Sequence, residues 1–228
     1  MRAAFLVALF LVLAPGCAKF PSGGPGVQTK RLVIRMTVAG RLREGYVYVV
    51  AFRPSNDLNP TTQGPIPVIS APWGNGFVAG NCTHFLRWDP LGSPQYSLFA
   101  FRDALLNEWF LLGSPLNFVE VPPNGRTLQF EIDLTQIAPT PADALLYQSV
   151  QINFLTMDRV PQGTSGGSKS WDALGNSGIP SEINTPVTIP LLTTGIYDNA
   201  RFFNLEPSGD NPDPDLDIVD WSVEVRNQ

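Results

Sequence analysis

The stretch "RLVIRMTVAG" (residues 31–40) carries the pattern that decides the predicted fold. Every second residue from Leu32 to Val38 is apolar, and polar residues such as Arg35 and Thr37 stand between them. Successive side chains of a β-strand point to opposite faces of the sheet. The alternation therefore predicts a strand with one buried face.

Nine further segments have a similar strand pattern between clusters of Gly, Pro and Asn. They are "GYVYVVAF", "CTHFLRW", "QYSLFAFRD", "EWFLLG", "LNFVEV", "RTLQFEIDL", "SVQINFLTM", "TPVTIPL" and "DIVDWSVEVR". Helices do not alternate with them, which disfavours a parallel sheet. The sequence predicts an all-β fold: a single antiparallel β-sandwich of about ten strands, Greek-key or jelly-roll-like.

One short helix is predicted near residues 140–148, "TPADALLYQ". Pro141 suits the first turn of a helix, where its missing N–H costs no hydrogen bond. Asp143 suits the positive end of the helix dipole. The main break in the strand pattern is residues 159–184, which we expect to be a long loop.

The composition favours a globular domain over residues 31–228. Hydrophobic residues make up 43% of the chain and charged residues only 15%, which argues against disorder. A net charge of −5 and a pI near 4.8 argue against a nucleic-acid partner. A single histidine and two cysteines disfavour a zinc or copper site, and no cofactor other than calcium is expected.

The first residues are typical of a secretory signal. An apolar run over residues 3–14 follows Arg2 and is shorter than the roughly 20 residues that a membrane-spanning helix needs. We therefore predict a signal peptide over residues 1–16. Residues 17–30 are rich in Gly and Pro, which predicts a tether to the folded domain.

With Cys17 directly after "APG", this segment resembles a bacterial lipoprotein signal. The resemblance implies lipidation of Cys17 and an extracytoplasmic protein anchored to a membrane, the outer membrane if the cell is Gram-negative. The family prefers Leu three places before the cysteine, where this chain has Ala14. Since Ala14 and Gly16 also suit ordinary signal peptidase, plain secretion is the alternative.

The second cysteine, Cys82, has only Cys17 as a disulfide partner in the chain. If Cys17 is lipidated, Cys82 is expected to be a small buried apolar residue. If it is not, a Cys17–Cys82 bridge becomes conceivable in an oxidising compartment.

The motif "GTSGG" (residues 163–167) resembles the serine motif of hydrolases and proteases, and His84 lies upstream of it. The order and spacing of Ser165, His84 and the nearby aspartates do not fit either family's triad. We interpret the motif as a Gly/Ser loop and His84 as a structural strand residue.

Four aspartates stand close together in "SGDNPDPDLDIVDWSVEV" (residues 208–225): Asp210, Asp213, Asp215 and Asp217. Calcium loops use carboxylates at such spacing. The turn glycine of an EF-hand is absent, and strand alternation begins at Ile218. The segment is therefore either an acidic turn before the last strand or an irregular calcium site.

Trp73 and Trp171 are the candidate ligand-binding residues. They lie in Gly-rich segments, where no strand pattern requires their burial. Exposed tryptophan rings provide the amphipathic surfaces on which sugars stack. The alternative is that they plug an open end of the sandwich.

The segments "LQFEIDLTQI", "VQINFLTMD" and "DLDIVDWSVEV" are similar to the late strands of DOMON-like β-sandwich modules. That resemblance implies a sandwich with a binding role, since such modules bind sugars or haem. His84 alone does not establish haem ligation.

Taken together, these features favour a non-catalytic, lipid-anchored cell-envelope module that binds a carbohydrate or another envelope ligand. The alternative is a structural or assembly lipoprotein that contacts an envelope protein through an exposed strand edge. A glycoside-type hydrolase is the third hypothesis, because that chemistry needs only two suitably spaced carboxylates.

Overall fold

The computed structural model describes residues 29–164, 167–179, 182 and 185–227. The predicted signal peptide (1–16), Cys17, nearly all of the predicted tether (17–30) and Ser165 lie outside the described residues. In the part of the chain that is described, no helix has the length and apolar character needed to cross a membrane.

The described residues form an antiparallel β-sandwich, which confirms the predicted fold class. The five strands of the first sheet lie in the order β13 (Gly195–Asp198), β14 (Ile218–Asn227), β1 (Lys30–Val38), β9 (Thr127–Asp133) and β8 (Asn117–Val119). Six strands of the second sheet lie in the order β11 (Trp171–Ala173), β10 (Ser149–Met157), β2 (Val47–Ser55), β5 (His84–Trp88), β6 (Tyr96–Phe101) and β7 (Trp109–Gly113). A seventh, β12 (Val187–Pro190), also pairs with β10.

All ten predicted segments contain strands, and the structure adds four short ones. The additions are β11, β13 and the hairpin of β3 (Pro65–Pro67) and β4 (Val78–Gly80). Each of the four has only three or four residues, too few for a period of two to be recognisable.

The predicted helix is confirmed as α1 (Pro141–Leu146). The Thr140 side chain caps its first turn by accepting a hydrogen bond from the backbone N–H of Asp143. A short 3-10 helix (Leu134–Ile137), which the strand pattern did not predict, follows β9 and is capped by Asp133.

The main core lies between the two sheets. Alternate residues of β1, β9 and β14 face alternate residues of β2, β5, β6 and β10. Its largest fully buried side chains are Trp221, Tyr48, Tyr96, Phe52, Phe130 and Phe154. Burial of one large apolar side chain contributes about 1.5–3 kcal/mol, so this core supplies most of the stability.

The second sheet is buried on its outer face as well. Every residue of β10 is buried, as are the first six residues of β2. Their outward side chains form a second apolar cluster with Leu106, from the turn between β6 and β7, and with residues of the segments that cross over the sheet, including Phe77, Val78 and Cys82. We call these crossing segments, residues 65–82, 158–164 and 167–174, the outer cover.

The prediction that residues 159–184 form a loop is therefore only partly correct. The segment contains strand β11, whose residues pair with the end of β10, from Leu155 to Met157. Asp172, Ala173 and Leu174 are fully buried. Their burial fixes this half of the segment against the sheet.

Candidate functional site

The outer cover leaves one part of the second sheet open, and a pocket of about 380 Å³ lies there. Its lining consists of apolar residues and a few polar ones: Gly45, Val47, Val49, Asn75, Phe77, Phe85, Arg87, Phe99, Trp109, Arg159, Val160 and Gln162. We call it the aromatic pocket. Ligand sites are typically concave and mostly apolar, with a small number of polar groups, and this pocket has that character.

Side chains of three adjacent strands form the floor of the pocket. Val49 of β2 and Phe85 of β5 are buried, and Phe99 of β6 lies beside them. The rings of Phe85 and Phe99 stack with centroids 4.8 Å apart. Phe77 meets Phe85 edge-on at 5.0 Å, and Trp109 meets Phe77 edge-on at 5.6 Å. These contacts hold the aromatic surface in one arrangement.

Asn75 shapes one wall. Its side-chain N–H groups donate to the carbonyl oxygens of Val78 and Leu106, at 2.7 and 2.9 Å. Its side-chain oxygen accepts from the backbone N–H groups of Phe77 and Val78. Because all four bonds go to backbone, Asn75 positions the wall and has no group left for a ligand.

The other polar side chains of the pocket are exposed. Arg87, Arg159 and Gln162 are all exposed members of the lining. Arg159 donates to the carbonyl oxygen of Ser168. None of the ion pairs among the described residues includes Arg87 or Arg159, so both positive charges are available to a ligand.

The structure does not support Trp73 as a surface on which a sugar could stack. Its side chain is 1% exposed and lies in the outer cover. The Lys169 ammonium lies 5.7 Å from the centre of its ring and donates to the carbonyl oxygen of Gly76 at 2.6 Å. Burial lowers the pKa of Lys169 to about 8.

Trp171 lies in β11 rather than in a loop, is half-buried, and packs against the outer cluster. It is not part of the pocket lining. The tryptophan that reaches the pocket is Trp109 of β7. It is 39% exposed because β7 is an edge strand.

The four aspartates of the predicted calcium site do not form a single group: Asp210 and Asp217 share a side-chain hydrogen bond, whereas Asp213 and Asp215 bond elsewhere. Asp213 accepts from the Tyr46 hydroxyl at 2.7 Å. Asp215 accepts from the backbone N–H of Arg41 and lies 3.5 Å from the Arg43 guanidinium. Both fasten the turn between β1 and β2, so this half of the acidic segment has a structural role.

Asp210 instead belongs to a cluster with two acidic residues from elsewhere in the chain. One side-chain oxygen each of Asp172, Glu206 and Asp210 lies within 4.8 Å of the others. Asp172 is fully buried and Glu206 is 1% exposed. We call these three residues the acidic cluster. Sequence reasoning missed Asp172 and Glu206 because each stands alone among non-acidic neighbours.

Backbone N–H groups satisfy some oxygens of the acidic cluster. The Asp172 carboxylate accepts from the N–H groups of Ala173 and Ile218, at 2.9 and 2.7 Å. Glu206 Oε2 accepts from Gly175 at 3.1 Å. The Ser177 N–H and hydroxyl donate to Asp210 Oδ2. Glu206 Oε1 and Asp210 Oδ1 are buried without a hydrogen-bond partner.

Burial and mutual repulsion disfavour the charged forms of these carboxyl groups. Burial, and then the nearby Asp210, raise the pKa of Asp172 to about 8. Burial, and then Asp172 and Asp210, raise the pKa of Glu206 to about 12. Asp217 lies beside the cluster, accepts from the Gly209 N–H at 2.9 Å, and has a pKa raised mainly by burial.

His84 and Cys82, which were considered for catalysis and for a disulfide bridge, both lie where they serve the fold. His84 begins β5, its Nδ1 lies 2.8 Å from the Thr83 hydroxyl, and burial lowers its pKa to about 4. Cys82 is buried, as predicted, and burial raises the pKa of its thiol to about 12. A cysteine with such a pKa is a poor nucleophile at neutral pH.

Strand β7 lies at the edge of the second sheet and exposes apolar side chains. Phe110 and Leu112 are exposed on one face of the strand, and Trp109 and Leu111 on the other. Leu111 is 59% exposed. Edge strands of this kind present unpaired backbone groups and apolar side chains together, and they favour pairing with another chain.

Comparison of the chain with protein-family models, with curated proteins and with solved structures finds no match. The aromatic pocket, the acidic cluster and the exposed strand β7 are therefore the features from which a function is inferred. The likeness to DOMON-like modules stays an expectation from the strand patterns.

Proposed function

We propose that the protein is a non-catalytic binding module and that its ligand occupies the aromatic pocket. The observation that carries this proposal is the incomplete outer cover, which exposes a preformed aromatic floor on neighbouring strands of the second sheet. A pocket of about 380 Å³ is large enough for a small organic ligand.

The lining favours an amphiphilic ligand with an aromatic or apolar body and one anionic group. Phe85, Phe99 and Trp109 would contact the body. Arg87 and Arg159 would bind a carboxylate, sulfonate or phosphate, since a guanidinium forms paired hydrogen bonds with such groups.

A carbohydrate is the alternative ligand, and the Trp109 ring is the surface on which a sugar would stack. Each sugar hydroxyl needs a hydrogen-bond partner, and few polar side chains line the pocket. An acidic sugar that uses the two arginines fits better than a neutral one.

A binding role is favoured over catalysis because the carboxyl groups that lie together are inaccessible. Asp172 and Glu206 are buried, so a polysaccharide cannot reach both as a hydrolase would require.

The probe for this proposal is 8-anilinonaphthalene-1-sulfonate, which has an aromatic body and one anionic group. We expect saturable binding at one site, followed by fluorescence titration. Arg87→Ala and Trp109→Ala should each weaken it about tenfold, the effect of losing roughly 1.4 kcal/mol of binding free energy.

Matched controls are Arg35→Ala, on the first sheet, and Trp171→Ala, on the outer face but outside the pocket. Both should bind the probe like the wild type. Equal weakening in all four variants, or none in the two pocket variants, would contradict the proposal. A parallel panel of neutral and acidic oligosaccharides tests the carbohydrate alternative.

We further propose that the module is displayed on the cell envelope by a lipid on Cys17. The support is the apolar leader and the small residues before this cysteine. In the native host, Cys17→Ser should abolish membrane association, measured by fractionation. If the variant fractionates with the membrane like the wild type, the anchor lies elsewhere.

A second candidate function is contact with an envelope protein through β7. It is favoured by the apolar side chains exposed on both faces of this edge strand. Crosslinking from a photoreactive residue at position 111 should capture one defined partner in the native host, and Phe110→Lys should prevent that capture without affecting the fluorescent probe.

A further inference from the structure

The acidic cluster joins three parts of the chain that are distant in sequence. Asp172 comes from β11, which pairs with β10. Glu206 lies after β13. The Asn199 side chain accepts a hydrogen bond from the backbone N–H of Glu206 and donates one to its carbonyl oxygen. Asp210 lies before β14. The Asp172 carboxylate also accepts from Ile218, the first residue of β14, and so connects the two sheets.

Like charges this close together in a buried place need compensation. No ion pair in the described part of the chain involves Asp172, Glu206 or Asp210. Backbone N–H groups and Ser177 bind some of the carboxylate oxygens, but they carry no full positive charge. The compensation must come from protons or from a cation.

Two oxygen atoms of the cluster favour a cation. Glu206 Oε1 is buried and has no hydrogen-bond partner, although the other oxygen of the same side chain is bonded. Asp210 Oδ1 is likewise buried and accepts no hydrogen bond from a donor group, whereas Asp210 Oδ2 accepts one from Ser177. Asp210 shares a side-chain hydrogen bond with the neighbouring Asp217 carboxyl group, so a proton compensates part of the charge there, but Glu206 Oε1 has no such partner among the described residues. Native proteins rarely leave buried polar atoms without a partner.

The spacing fits a cation. Carboxylate oxygens bind Ca²⁺ at about 2.3–2.6 Å, so two oxygens on one ion are at most about 5 Å apart. The three carboxylates lie within 4.8 Å of one another. A set of oxygen ligands without histidine or cysteine selects a hard cation.

We propose that Asp172, Glu206 and Asp210 bind a divalent cation, Ca²⁺ before Mg²⁺, which fastens the 206–210 segment and the start of β14 to β11. Calcium is preferred because it accepts irregular arrangements of six to eight oxygens, whereas Mg²⁺ demands a regular octahedron. This site differs from the one that the aspartate spacing suggested, and it does not depend on a ligand in the aromatic pocket.

The test uses the full-length protein, stripped of metal with a chelator and then given CaCl₂ or MgCl₂. We expect millimolar Ca²⁺ to raise the Tm by about 5 °C or more, and Mg²⁺ to raise it less. Tb³⁺, a luminescent substitute for Ca²⁺, should bind one to one and be sensitised by Trp171, next to Asp172 in the chain.

Glu206→Gln and Asp210→Asn should lose the calcium shift and the terbium signal. In chelator, their Tm should equal or exceed that of the wild type, because an amide places no negative charge in the buried cluster. The matched control is Asp213→Asn, an acidic residue of the same segment that bonds Tyr46 instead. It should keep the calcium response.

An unchanged wild-type Tm in calcium together with no terbium binding would overturn the proposal. So would a full calcium response in Glu206→Gln, or its loss in Asp213→Asn alone. Should a cluster variant fail to fold, the wild-type terbium titration and its competition by Ca²⁺ decide the question.

Discussion

The two faces of the second sheet are covered in different ways. The inner face packs on another sheet, and alternate side chains of both sheets interlock along their whole length. The outer face packs under irregular segments that are anchored at a few points such as Asn75 and Lys169. Sheet packing seals its face, whereas the irregular cover leaves the aromatic pocket open. In this protein, the binding surface arises where packing is least regular.

The largest expected effect is in the inner core. Trp221→Ala removes a fully buried ring that packs against Phe154 and Phe202. We expect a loss of about 4 kcal/mol in the free energy of unfolding, measured with a chemical denaturant. A loss below about 1 kcal/mol would show that the inner face is not the main source of stability.

A smaller loss, accompanied by loss of ligand binding, is expected for Asn75→Ala in the outer cover. Four backbone partners lose their bonds, which should cost about 2–3 kcal/mol of unfolding free energy. The same change should weaken binding of the fluorescent probe, because the pocket wall loosens. If stability falls and probe affinity stays the same, the wall does not shape the pocket.

The anchor at Lys169 should make the outer cover sensitive to pH. Burial lowers its pKa from 10.5 to about 8, so between these values the unfolded chain holds the proton more firmly than the folded one. Stability from this group therefore rises as the pH increases through that window. We expect the difference in unfolding free energy between wild type and Lys169→Met to grow by about 2 kcal/mol from pH 8 to pH 10. A constant difference would contradict the assignment.

The smallest effect is expected at the exposed edge. Leu111→Gln replaces a side chain that is mostly in solvent, and the free energy of unfolding should change by less than about 0.5 kcal/mol. A larger loss would mean that β7 is covered, for instance by a second copy of the chain. Sedimentation at several protein concentrations separates these cases.

The sequence predicted the sandwich well because its inner face repeats with a period of two. The outer cover was harder to foresee, because its residues belong to short segments without a period. One signal was present: the run "VYVVAF" in β2 is apolar at every position, which is typical of a strand buried on both faces.

The site residues were predicted least well, for a physical reason. Asp172, Glu206 and Asp210 meet only because β11 pairs with β10 and the chain returns before β14. Spacing along the sequence carries no information about such a meeting. Trp73 was misjudged because glycines beside a tryptophan indicate a loop but do not show whether the loop folds inward.

The pairing of the first and last strands has a consequence for how the protein acquires its fold. Strand β1 lies at the centre of the five-stranded sheet, and Lys30 is paired with Asn227. The sheet cannot form around β1 until residues 218–227 have left the ribosome. Contacts of such long range make folding slow, on the scale of milliseconds to seconds. Until residues 218–227 emerge, β1 can pair only with β9, so one of its two edges stays open while the rest of the chain is made.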